Sequence, residues 1–269
     1  MDDDVGWEEL TTAGGDRRAD PPQKSSPSSS FSFEEATDSG KIVFTIYGDK
    51  GSGKTVTAMT LPGTKAVLCF DKKAQVVHKH ILNGDTNIKV YDATKYFVKT
   101  PELYLPSSET TYEYVFFLLD NIAKNPPDWI IIDGTEILHE VCEMLMRKRH
   151  DIRPYAGIEN RNIWKERKQF MDSIFRKAIE CCKKGLVYTT YTKDDQLISE
   201  GEITSSKKIP KWIDTVLYET DIVLFTEIKH EKGKARVYVR IDSSKMPMLK
   251  TGQLIDITDK TLASFMKGV

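Results

Sequence analysis

The sequence predicts an α/β fold, a mostly parallel sheet with helices on both faces and a late antiparallel edge. Three observations predict it. Short apolar runs alternate with helical patterns from residue 41 onward, the order that places a buried parallel sheet between two helical layers. A glycine-rich loop stands between the first run and the first helix. Two late apolar runs, Asp221–Phe225 and Arg236–Ile241, are separated by the polar stretch Lys229-His-Glu-Lys-Gly-Lys234. They read either as further parallel strands or as an antiparallel hairpin at the sheet edge.

The elements follow in order. Lys41–Tyr47 (KIVFTIY) reads as a buried strand, and Thr55–Leu61 can open a helix. Ala66–Phe70 is a second apolar run ending at Asp71, Ala74–Leu82 looks helical, and Ile88–Tyr91 is a short strand. Thr110–Lys124 carries Tyr112, Val115, Phe116, Leu118, Leu119 and Ile122 at helical spacing. Asn125-Pro126-Pro127-Asp128 breaks the chain before the run Trp129–Ile132, which ends in Asp133. Helices are expected over 135–149 and 160–183, then a strand over Leu186–Tyr191. No internal repeat is visible.

The loop is Gly48-Asp49-Lys50-Gly51-Ser52-Gly53-Lys54-Thr55, a G-x-x-x-x-G-K-T phosphate-binding motif. A strand, a glycine loop and a helix start in that order aim backbone N–H groups at one point, where a triphosphate can sit. The glycines let the backbone approach phosphate without Cβ clashes. Lys54 neutralises β/γ-phosphates and the Thr55 hydroxyl holds Mg²⁺, so ATP and Mg²⁺ are the expected cofactors. Trp129–Ile132 followed by Asp133-Gly134 supplies the second half of such a site. A carboxylate at the end of a buried strand is fixed beside the phosphate loop, where it orients Mg²⁺ and its waters.

Composition bounds the rest. The chain has 269 residues, 39% of them hydrophobic, enough for one domain plus a tail. Residues 1–40 hold ten acids and three bases, a net of −7 against −1 for the whole chain, which leaves +6 on residues 41–269. Residues 1–38, with the core Pro21-Pro-Gln-Lys-Ser-Ser-Pro-Ser-Ser-Ser30, read as a disordered acidic Ser/Pro-rich tail, and residues 39–269 as the folded domain. Trp7 and Leu10 among the tail's acids read as a solvated segment or as a short protein-binding motif. Cys69, Cys142, Cys181 and Cys182 show neither metal spacing nor a C-x-x-C motif. No apolar run is long enough to span a membrane. The expected setting is the reduced cytoplasm.

The order of Gly48–Thr55, Leu61-Pro62-Gly63, Phe70-Asp71 and Trp129–Gly134 resembles the RecA/RadA-like P-loop ATPase core. It is most similar to short phage and archaeal versions that consist of little besides that core, some of which act in single-strand annealing and recombination. The resemblance spans about residues 40–258, with the phosphate loop and the Asp133 strand as its specific motifs. It implies an oligomeric ATPase working on DNA. It also implies a glutamate near the end of the second strand that activates the attacking water. Here that place reads Asp71-Lys72-Lys73. An ammonium cannot accept a proton, and general-base assistance is worth roughly 10²–10⁴-fold. Either Asp71 or Glu136, three residues past Asp133, is therefore expected as the base, or hydrolysis is slow. Glu136 also suits the first turn of a helix by its dipole.

The resemblance further places a γ-phosphate sensor among Thr189, Thr190 and Tyr191, and a DNA-contacting loop in the polar stretch 192–208. Lys245 and Lys250 are similar in position to lysines that neighbouring subunits supply in trans. A basic segment runs from Arg147-Lys148-Arg149-His150 through Arg153, Tyr155, Arg161, Trp164, Lys165, Arg167 and Lys168. Its cations suit a phosphate backbone and its rings suit unpaired bases, so single-stranded DNA is a candidate partner. The same residues equally suit a solvated helix end with Trp164 in the core. Three function classes remain: a DNA-acting ATPase, a nucleotide-gated switch without DNA, and a small-molecule kinase, for which no substrate pocket can be read.

Overall fold

In the computed structural model the described residues are 40–199, 202–211, 219–247, 249–258, 261 and 262. The chain divides into two units, Met1–Thr37 and Asp38–Val269. The expected acidic tail, with Trp7 and Leu10, lies outside the described residues.

The expected sheet forms. Its parallel strands are β1 (Ile42–Gly48), β2 (Lys65–Cys69), β3 (Ile88–Asp92), β4 (Trp129–Asp133), β5 (Gly185–Thr190) and β8 (Ile222–Glu231), closed at one edge by β9 (Lys234–Ser244) and β10 (Leu254–Asp256). The spatial order is β10-β9-β8-β1-β5-β4-β2-β3. The two late runs resolve the choice left open by the sequence. β8 pairs parallel with β1, and β9 turns back antiparallel along β8. The strand β10 was not legible, because three residues carry no periodicity.

Every residue of β1, β2, β4 and β5 is buried. That explains why these strands read as continuous apolar runs rather than as alternation. The helices α3 (Tyr104–Ala123), α4 (Thr135–Arg149) and α5 (Trp164–Glu180) cover one face. Their Val115, Leu119, Leu138, Leu145 and Ile174 pack on Val43, Leu68, Ile130 and Leu186. The opposite face carries α1 (Lys54–Met59) and α2 (Ala74–His80), whose Ala58, Met59 and Ala74 pack with Phe44, Ile46, Val67 and Ile131. This is the mostly parallel sheet, covered by helices on both faces, that the sequence predicts. β5 lies between the phosphate-loop strand and the Asp133 strand, so the ends of all three converge on one edge.

Three differences from expectation have physical causes. α3 starts six residues before Thr110, because its first turn includes Pro106, tolerated where no N–H partner exists, and polar Ser107 and Ser108. The 160–183 helix begins as a 3-10 turn at Arg161–Ile163, capped by the Asn160 side chain, which accepts from the Asn162 N–H at 3.0 Å. The polar stretch 192–208 is not an irregular loop. It belongs to a two-stranded antiparallel sheet of β6 (Thr192–Ser199) and β7 (Glu202–Pro210). Its few apolar residues fall without period-two alternation, so the sequence carried no strand signal.

Candidate active site

The phosphate loop is held by neighbours far away in sequence. Gly48 ends β1 so close to β8 that a Cβ there would lie 2.4 Å from both Ser52 Oγ and the Thr226 carbonyl oxygen. Gly53 has φ of +92°, left-handed backbone that glycine adopts without strain. Ser52 and Thr226 share a hydroxyl hydrogen bond of 2.8 Å. Asp49 Oδ1 accepts from Thr192 Oγ1 at 2.6 Å and its Oδ2 accepts from Lys208 Nζ, so both strands of the β6–β7 hairpin grip the loop. Lys208 and then Thr192 hold the Asp49 carboxyl below its ordinary pKa.

Lys54 is half-buried and rests over the Tyr191 ring, 4.3 Å from its centroid. It donates to the Gly48 and Asp49 carbonyls at 2.9 and 2.8 Å. Burial lowers its pKa, against the charges of Glu136, Asp133, Asp49 and Asp71. A half-desolvated ammonium whose direct partners are neutral is poised for an anion.

Asp133 is 1% exposed. It accepts from Thr55 Oγ1 at 2.9 and 3.1 Å and from Thr189 Oγ1 at 2.7 Å. Burial first, then nearby Asp71, pushes its pKa up to about 6, while Thr189, Thr55 and Lys54 pull it down. Among the described residues no cation pairs directly with it. A buried carboxylate of this kind beside a threonine hydroxyl fits a hard divalent cation. Cys69, Asp71 and Asp133 bring one ligand atom each within 4.8 Å of one another. Burial raises the Cys69 thiol to about 11, so it stays protonated and the carboxylates are what the site offers.

The structure brings the two base candidates to the same cleft. Asp71 Oδ1 accepts from the Lys73 N–H at 3.0 Å and, weakly, from the Cys69 thiol. Glu136 Oε1 accepts from Thr190 Oγ1 at 2.8 Å and from the Tyr191 N–H. The three sensor candidates thus have separate partners: Thr189 orients Asp133, Thr190 and the Tyr191 backbone hold Glu136, and the Tyr191 ring covers Lys54. A cleft of about 220 Å³ joins these groups, lined by Gly51–Val56, Asp71, Lys73, Asp133, Glu136, Thr189 and Tyr191, with Val77 of α2 and Ile81 just past its end. Sequence reading missed Thr192, Lys208 and Thr226 as supports of the loop and Val77 and Ile81 as walls. No local motif signals partners more than 140 positions apart, and the helical pattern over 74–82 does not say which of its residues wall a cleft.

The basic segment is mostly engaged within the chain. Arg147 is buried and donates to Glu143 and to the Arg153 and Ala156 carbonyls. Lys148 pairs with Glu109, Arg149 and His150 with Glu166, and Arg167 with Glu143. Trp164 is half-buried against the core with the Arg167 guanidinium 4.4 Å from its ring. Arg153, Arg161, Lys165 and Lys168 are exposed, and Tyr155 is 81% exposed. Lys245 pairs with Asp221 of the same chain at 3.1 Å, while Lys250 is exposed. All four cysteines are buried and free. No helix among the described residues is long and apolar enough to cross a membrane.

A phosphate loop and a buried strand-end aspartate, flanking a central strand of a mostly parallel sheet, define a P-loop nucleoside triphosphatase fold. Comparison with protein families assigns it further: residues 40–259 match the AAA domain family designated AAA_24, and the chain belongs to that family. It is therefore an ATP-binding protein of the P-loop ATPase class. No curated protein matches it. Among solved structures it is similar to the KaiC-like protein PH0186 of Pyrococcus horikoshii OT3, at 10% identity and a TM-score of 0.47, over 81% of this chain and 85% of that one.

Proposed function

We propose that this chain is a magnesium-dependent ATPase that acts as a homo-oligomer on single-stranded DNA in recombination, repair or replication. The observation that carries the hydrolytic reading is the buried Asp133 carboxylate, bonded to Thr55 and lying beside Asp71. Thr55 and Asp133 would hold the magnesium ion, whose chemistry is to draw charge from the β- and γ-phosphates. Lys54 exchanges its two loop carbonyls for phosphate oxygens. Asp71 has one oxygen tied to the Lys73 N–H, and the other takes the proton of the attacking water. Glu136, bound to Thr190 and Tyr191, positions the start of the hairpin against the phosphate end. Arg153, Arg161, Lys165 and Lys168, exposed like Tyr155, supply the cations and the ring that suit a single strand.

A nucleotide-gated switch without DNA is the second reading. It is favoured by the glutamate partners that occupy Arg147, Lys148, Arg149 and Arg167. Turnover of ATP measured with and without single-stranded DNA separates the two. Stimulation by DNA supports the first; tight ATP binding with negligible turnover under both conditions supports the switch.

A further inference from the structure

A second cavity lies at the edge of the sheet opposite the phosphate loop, where the parallel strands begin. It measures about 410 Å³, within the roughly 300–1,000 Å³ of small-molecule sites. Lysines reach it from four elements: Lys65 at the start of β2, Lys89 in β3, Lys124 just past α3 and Lys183 two residues before β5. Among the described residues no carboxylate lines it. The charges of Asp85 and Asp128 reach Lys65, and that of Asp128 reaches Lys183, at longer range than an ion pair. Both acids are engaged by other groups. Asp85 accepts from the backbone and side-chain N–H groups of Asn87 at 3.0 Å. Asp128 accepts from the Thr64 N–H at 2.8 Å and lies 3.9 Å from Lys184, so none of the four cavity lysines is ion-paired among the described residues.

Lys65 is the anchor. It is 5% exposed, and two of its three N–H donors go to the Leu61 and Gly63 carbonyls, both at 2.6 Å. A buried ammonium with neutral partners carries a desolvation cost that an anion relieves. Burial lowers its pKa, against the charges of Asp85 and Asp128. Lys89, Lys124 and Lys183 are exposed, and the amides of Asn87 and Asn125 line the same cavity. No arginine does. An ammonium meets an anion as a point charge, which suits phosphate oxygens approached from any side, whereas a planar carboxylate suits the arginine fork.

We propose that this cavity binds a small phosphoanion carrying two or more phosphates, at a site separate from the nucleotide cleft. The two sites share no lining residue. The lysines surround one cavity instead of following a groove, the arrangement for a compact ligand and not for a nucleic-acid backbone.

The test is calorimetric titration of the full chain with inorganic pyrophosphate, in wild type, in Lys54→Ala and in the triple variant Lys89→Gln, Lys124→Gln, Lys183→Gln. The three substituted lysines are exposed and outside the nucleotide cleft, so the triple variant should fold and turn over ATP as wild type does. Wild type should show two sites. Lys54→Ala should lose the one at the phosphate loop and keep the other. The triple variant should do the reverse, weakening the second site by at least about tenfold, the scale of one charge-assisted hydrogen bond. Affinity at the second site should fall as salt rises, and citrate should bind there more weakly than pyrophosphate. No binding, or a single site that disappears in Lys54→Ala, overturns the proposal. A second site unchanged in the triple variant does so too, because the lysines then do not form it. Tighter binding of citrate overturns the phosphate assignment, and displacement of pyrophosphate from the second site by oligo-dT overturns the small ligand in favour of a nucleic-acid backbone.

Discussion

Two regions of this molecule are rich in charge, and they use it in opposite ways. At the phosphate loop, Lys54 faces carbonyls and a tyrosine ring, and Asp133 faces hydroxyls. Each is partly or fully desolvated without a direct partner of opposite charge, a state that costs free energy until a ligand arrives. Along α4 and α5, Arg147, Arg149 and Arg167 are cross-linked to Glu143 and Glu166, and Arg147 also donates to the Arg153 and Ala156 carbonyls. There the charge is spent on joining two helix ends. A run of basic letters therefore says little about availability; the pairing decides it.

The sharpest way to break this contrast is Lys54→Ala. It removes an uncompensated cation and no core contact, so ATP binding and turnover should fall by at least about a hundredfold, the scale of losing a charged phosphate clamp. The melting temperature should stay within a few degrees of wild type. Unchanged ATP affinity in this variant would overturn the site. Next in size are the two carboxylates of the cleft. Asp71→Asn should retain ATP and lose about 10²–10⁴-fold in turnover, whereas Glu136→Gln should lose less. The reverse ranking in single-turnover assays would move the base to Glu136.

The basic segment gives a smaller effect that divides by pairing. Reversing exposed Arg153, Arg161, Lys165 and Lys168 to Glu should weaken single-stranded DNA binding with little change in stability. Each lost contact should reduce the slope of log K against log salt by about 0.7. Arg147→Ala should act the other way, lowering stability by about 1–3 kcal/mol because it leaves the Arg153 and Ala156 carbonyls without their donor and half-buried Glu143 with Arg167 alone, with DNA affinity per folded molecule unchanged. Titrations by anisotropy and denaturant melts on the same samples check both. Equal effects of the two sets on DNA would erase the distinction.

The fold and the phosphate site were legible because their signals are local. Gly48–Thr55 states its own geometry, and the run Trp129–Asp133 announces a buried strand with a carboxylate at its tip. β8 and β9 were visible as runs, but the direction of their pairing depends on which neighbour each one finds. The hairpin of β6 and β7 was hidden because its strands, held by cross-strand pairing and by polar contacts to Asp49 and Tyr47, show no apolar alternation. The division of labour among Thr189, Thr190 and Tyr191 was equally hidden. Adjacent residues of a strand alternate in direction, and only the register of β5, which ends at Thr190, against β1 and β4 decides which of them meets Asp133. Arg147 and Arg161 are both arginines near a helix end, and nothing local says that one is buried and the other exposed.

The smallest predicted effect lies between the two regions, on α4, where His139 is buried between the turns that carry Glu136 and Glu143. Burial first, then the charges of Arg167 and Lys211, lower its pKa to about 3. Its ordinary value in an unfolded chain is about 6.5. Below pH 6.5 the unfolded chain takes up a proton that the folded chain refuses, so stability falls as pH drops from 6.5 toward 3 and is independent of this group above 6.5. The slope is at most about 1.4 kcal/mol per pH unit, or about 2 kcal/mol between pH 7 and pH 5. His139→Gln, which keeps a polar side chain of similar size and cannot titrate, should lose that acid sensitivity while remaining folded at pH 7. Denaturant melts of both proteins at pH 7 and pH 5 measure it as a difference of differences, in which the titrating carboxylates common to both cancel. The same pH dependence in wild type and variant would mean that His139 accepts its proton in the folded state, against both its burial and the charges of Arg167 and Lys211.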